Sequence, residues 1–246
     1  MHRSVLAIAI LLSAHLPVAA MAETNPFLEA GIPAPTRPWT GPDYESTAEI
    51  LTAGKVPLPT FSDPQGAALL QRMTSADNLS LQRDTSLPLS ARMPDFLLVH
   101  SGASKLLSLY LAASEKGGYR PELARVTAFL LHSSAQGVDL AEEMMVAFPR
   151  DEKQTTRMEG LRKMNKGLTG VFVGAEQMLA EQNGFSTEDL SVLLNAMAST
   201  LPRLKKAFPP DVRIELRKKL EVDKARFKKD EDARRLDQMI GKLGPV

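Results

Sequence analysis

Few side chains in this 246-residue chain could do chemistry from inside a fold. Of four histidines, only His100 and His132 stand beyond residue 22. Metal sites draw several His, Cys, Asp or Glu ligands at set spacing. The chain has no cysteine, no His-x-x-x-His and no Glu-x-x-His, so neither a metal nor another cofactor is expected. Lys105 is the single charge between Phe96 and Ser114. In so apolar a stretch an ammonium needs a partner or a route to water.

If 94–116 and 121–148 form an antiparallel helical hairpin, His132 lies opposite Lys105 and His100 lies near Gly137. Lys105, His132, Ser101 and Ser134 then make the best ligand or reaction pocket that the sequence offers. The competing reading lets Lys105 reach the surface along its methylenes and keeps His132 satisfied in the core. The two histidines are offset by about 7 Å at 1.5 Å per residue, too far to share a metal. No catalytic residue is assigned. Gly-x-Ser-x-Gly is missing, and no glycine loop follows a strand to cradle phosphate.

The strongest surface feature is basic. Residues 203–229 hold 11 Lys/Arg against 4 Asp/Glu, in a chain whose total charge is only +1. Arg213, Arg217, Lys224 and Lys228 share one side of a helical wheel. That face suits an acidic protein or an anionic lipid surface. A near-neutral total argues against nucleic acid. The alternative is a solvated helix whose charges pair locally, Glu215 with Lys219 and Glu221 with Lys224.

The elements that must position these residues are helices. Residues 1–22 read as a secretory signal peptide: a basic start, an apolar stretch of about 12 residues, too short for a span, and Ala20-Met21-Ala22 at the cleavage site. Export to a periplasm or the medium follows, with no transmembrane segment after cleavage. Residues 23–62 read as a proline-rich extended arm with one short helix. Phe27, Ile32 and Trp39 are its possible anchors, and a flexible linker is the other reading.

Residues 63–246 then form a helical domain, and the fold is all-α, a multi-helix bundle of about six to seven helices with the proline-rich extended N-terminal arm. Asp63-Pro64 caps and opens one helix. Residues 76–93 look irregular. The 94–116 helix, nearly uncharged all round, should sit at the centre. In 153–182, Gly160, Gly167, Gly170 and Gly174 fall on one side, predicting a closely packed neighbour there. Ser186 with Asp189 forms a capping box, and Pro202 kinks or restarts the helix it opens. No segment alternates like a strand. The methionines fall on core-facing positions, where their flexible side chains fill space.

These residues point first to a non-catalytic exported protein, an interaction or accessory module of the bacterial envelope. A second reading is a binder of a small apolar or amphipathic ligand between helices. A third is an envelope hydrolase using dispersed carboxylates.

Overall fold

The computed structural model describes residues 24–115, 118–147, 149, 151–181, 184–227 and 230–244. The signal-peptide reading and Lys228 lie outside these residues. Among the described residues the only regular structure is helix, with no strand, as the missing alternation predicts. It holds more helices than six or seven. Ten α-helical segments and one 3-10 turn are present, and two of the ten are single turns. The surplus falls between 23 and 93, where prolines interrupt hydrogen bonding yet leave room for short helices between them.

The 23–62 segment is therefore not an extended arm. α1 (Pro26–Glu29) is capped by Asn25, and α2 (Gly41–Thr52) by a Thr40–Asp43 capping box. Phe27, Ile32 and Trp39 are all buried, so of the two readings the docked one holds and the flexible linker does not. Asn78 does much of the docking. Its side chain accepts from Trp39 N at 2.8 Å and donates to the Tyr44 hydroxyl at 2.8 Å and to Arg72 O at 2.6 Å.

α3 (Pro64–Met73) starts on Asp63, whose carboxylate accepts from Gly66 N at 2.7 Å. The stretch expected to be irregular holds the 3-10 turn Ala76–Leu79 and α4 (Ser80–Arg83), and α5 (Leu89–Ser114) begins before Pro94. Pro94 removes only a first-turn hydrogen bond, whose acceptor Ser90 is exposed. Asp95 of α5 serves α2. It accepts from Gly41 N at 2.7 Å and from Gln82 Nε2 at 3.0 Å.

The centre of the bundle is α6 (Arg120–Ala147), not α5. Seventeen residues of α6 are buried, and it lies between two apolar clusters, one with α2, α3 and α5, the other with the C-terminal helices. α5 is long and apolar enough to cross a membrane, but it packs along α2 and α6, with 33% of that window buried. Its Ser101, Lys105 and Ser108 face outward. Hydropathy could not separate the two helices, because uncharged serines on an outer face resemble core in composition.

α7 (Gln154–Glu181), α8 (Thr187–Leu204), α9 (Pro210–Lys224) and α10 (Asp230–Leu243) complete the chain. The Ser186–Asp189 box forms as read. Pro202 neither stops nor restarts α8. The carbonyl its missing N–H would have served, Ala198 O, accepts from Lys242 Nζ at 3.5 Å. Among the described residues the glycine stripe of α7 has no close neighbour: a Cβ built on Gly160, Gly167, Gly170 or Gly174 meets nothing within 4 Å. Close approach occurs at Gly102 and Gly137, where a Cβ would fall 2.7 Å from Tyr44 Cβ and 2.4 Å from the Phe96 ring.

Candidate functional site

α6 and α8 run in the same direction, as two ion pairs show by stepping along both: Arg203–Asp139 at 3.5 Å and Lys206–Glu142 at 2.8 Å. Arg125, Ala128, Phe129 and His132 of α6 recur at three- and four-residue spacing, and so do Val192, Asn195, Ala196 and Ser199 of α8. Each set forms one helix face. Together with Thr74 and Ala76 they line a groove of about 500 Å³.

The floor is apolar and small, made by Ala128, Phe129, Val192 and Ala196. The walls carry a guanidinium, an imidazole, an amide and two hydroxyls. No carboxylate lines it. Burial depresses the His132 pKa, and the positive charges of Arg83 and Arg203 depress it further. His132 is therefore neutral at pH 7, with one nitrogen free to donate and one to accept. Phe129 stacks on Tyr44 at 5.5 Å, and Tyr44 meets Trp39 edge-on at 5.6 Å. An aromatic file thus joins the docked N-terminal segment to the groove wall.

The four residues grouped from the sequence do not share this site. Ser101 and Lys105 are exposed on α5. Ser134 is buried, its hydroxyl without a hydrogen-bond partner among the described residues. Only His132 lines the groove, which takes no wall from α5. The α5–α6 register also differs from expectation by one turn. His100 meets Ser133, and the ring of Phe96, not His100, lies against Gly137. α5 ends at Ser114, so the hairpin closes earlier and each facing pair moves. Arg125, Asn195, Ser199 and Thr74 were not singled out in the sequence. Their helical spacing is visible there, but the pairing of α6 with α8 is not.

The basic C-terminal face is engaged within the chain. Lys224 pairs with Asp237 of α10 at 2.7 Å, and Arg217 pairs with Glu221 at 2.9 Å and donates to Gly244 O. Arg213 Nε is buried without a hydrogen-bond partner among the described residues. The expected Glu215–Lys219 pair is present at 3.2 Å. Glu221 turns to Arg217 instead of Lys224, because α10 brings an acid that Lys224 meets first.

A third feature is apolar. Leu89, Met93, Pro94, Leu97, Met144 and Ala147 line an open groove of about 400 Å³ at the end of the α5–α6 pair. Leu97 there is 49% exposed, and nearby in sequence Val146 is 89% exposed. Compared with known proteins, the chain matches no family model, no curated protein and no solved structure.

Proposed function

We propose that this protein binds a small amphipathic anion in the α6–α8 groove without transforming it. One observation carries the reading: Arg125 and His132 stand over a floor of Ala128, Phe129, Val192 and Ala196, with no acidic side chain in the lining. An anion entering there meets a guanidinium, which donates in a planar fork, and the side-chain amide of Asn195, while the Thr74 and Ser199 hydroxyls donate to Leu70 O and Ala196 O. Its apolar body covers the small floor and loses contact with water. General acid–base catalysis uses a positioned proton-exchanging side chain, and the lining offers His132 with no carboxylate beside it.

Calorimetric titration with octanesulfonate tests the reading, since that probe stays ionised at every useful pH. Saturable binding is expected, with no binding of octanol or octylammonium. Arg125→Glu should abolish it and Lys105→Met should leave it unchanged. Equal binding of octanesulfonate and octylammonium would remove the proposal.

A second reading, an accessory protein that meets a partner, is favoured by the open apolar groove beside Leu97 and the exposed Val146. Replacing Leu97 and Val146 with lysine should then release a captured partner from an envelope extract while circular dichroism stays unchanged. We also propose export, on the leader pattern of residues 1–22. N-terminal sequencing of the periplasmic fraction tests it, with Glu23 expected first.

A further inference from the structure

A separate crevice of about 310 Å³ opens between α7 and α9, lined by Glu176, Gln177, Ala180, Lys218, Lys219, Val222, Asp223 and Arg226. Its floor is unusual. The Glu176 and Asp223 side chains are only 2% and 3% exposed, and each leaves one carboxylate oxygen buried without a hydrogen-bond donor, Glu176 Oε2 and Asp223 Oδ2. Buried polar groups in folded proteins are almost always hydrogen-bonded. Two orphan acceptors lining one crevice are therefore a specific deficit, and what they lack is a donor.

The nearest cations do not supply it. Lys219 Nζ forms an ion pair with Glu176 Oε2 itself, but at 3.6 Å it is too long for a hydrogen bond, and it lies closer to Glu215, at 3.2 Å. Arg226 reaches the other Asp223 oxygen at 3.2 Å and is also bound to Ala180 O at 2.6 Å. Lys218, exposed in the lining, has no ion-pair partner among the described residues. The crevice thus presents two buried acids and, at its rim, one exposed ammonium, Lys218, with no ion-pair partner among the described residues, beside the paired Lys219 and Arg226. Burial raises the pKa of both acids, and the Asp223 charge adds to the rise at Glu176, so the two are near enough to interact.

This arrangement discriminates among ligands by charge. A simple anion would bring a third negative group toward two buried acids. A metal ion would face Lys218, Lys219 and Arg226 as like charges. A zwitterion satisfies both layers. We propose that the crevice binds a small α-amino acid, its ammonium donating to the orphan oxygens of Glu176 and Asp223 and its carboxylate held by Lys218 and Lys219. Ala180 and Val222 leave the side chain a short apolar wall. The site is independent of the α6–α8 groove and lies between different helices.

The test is an amide NMR titration of the full chain with L-alanine, with ethylamine and propionate as the two half-ligands. Saturable shifts confined to 176–180 and 218–226 are expected with alanine. Each half-ligand should bind about tenfold or more weaker, the loss of one charge-assisted contact. Asp223→Asn keeps the shape and removes the charge, and should weaken alanine by about as much. Lys218→Ala is the companion variant at an exposed position, where folding is not at stake, and should also weaken binding. Absence of saturable shifts in this region, propionate or ethylamine matching alanine, or undiminished binding by both variants would overturn the proposal.

Discussion

His100 Nδ1 stands 3.2 Å from the Ser133 hydroxyl, across the contact between the two longest N-terminal helices of the bundle. Its ring also stacks on Phe96 at 5.5 Å. Burial in this apolar setting lowers the His100 pKa from its ordinary 6.5 to about 4. The folded chain therefore resists a proton that the unfolded chain accepts. Below pH 6.5 the unfolded state binds more protons, so stability falls as pH drops, and the loss is complete near pH 4. The size is about 3 kcal/mol from this one group, at 1.36 kcal/mol per unit. Urea midpoints measured across this window should fall steeply, and His100→Gln should flatten that part of the profile. An identical slope in both proteins would show the ring to be hydrated.

The glycines make opposite predictions on different helices. Gly102 and Gly137 sit where a methyl has no room, against Tyr44 of α2 and the Phe96 ring. Alanine at either should cost about 1–3 kcal/mol through overpacking. Gly160, Gly167 and Gly170 are exposed and face open space, so alanine at each should stabilise α7 by about 0.5–1 kcal/mol. Thermal unfolding of the five single variants separates the sets by sign. A destabilised Gly167→Ala would mean that some other molecule packs on the stripe.

Asn78 holds three segments at once, so Asn78→Ala should be costly for its size. It strips the Trp39 amide of its acceptor and the Tyr44 hydroxyl of a donor, both in buried surroundings. The penalty should be about 2–3 kcal/mol. Because Trp39 is the only tryptophan, its emission reports directly on this region. A red shift together with faster proteolysis before residue 41 is expected; unchanged emission would mean that the aromatic packing alone retains the segment.

Local chemistry was legible in the sequence where it stays local. The Asp63 and Ser186 caps, the positions of most helices, and the anchoring role of Phe27, Ile32 and Trp39 all follow from neighbouring residues. Interactions between helices were not legible. The α5–α6 register differs from expectation by a turn because the helix ends on both sides of the connection decide every facing pair, and such ends are loosely marked in sequence. The sequence points to α5 as the centre because its outer face carries uncharged serines and a single lysine, whereas only contact with α2 and α6 decides which face is wet. The groove escaped notice for the same reason: Arg125 and Ser199 lie far apart in sequence and meet only through the parallel pairing of α6 with α8. The Glu176–Asp223 crevice likewise needs α9 laid against α7.

His132 gives the groove a signature in solution. In the free protein it is neutral at pH 7, its pKa lowered first by burial and then by Arg83 and Arg203. An anion bound beside it favours the imidazolium and raises that pKa. Binding must then take up protons wherever the pH lies between the free and bound values, and affinity must rise as pH falls through that interval. Octanesulfonate itself does not titrate there, so the uptake belongs to the protein. Calorimetry at about pH 6, near the ordinary histidine pKa, in two buffers of different ionisation enthalpy should give unequal apparent heats whose difference counts the protons. His132→Gln keeps a hydrogen-bonding side chain but cannot titrate, so its heats should agree between buffers while Arg125 still sustains weaker binding. Equal heats for the unaltered chain would place the anion away from His132, at the Arg125 end alone.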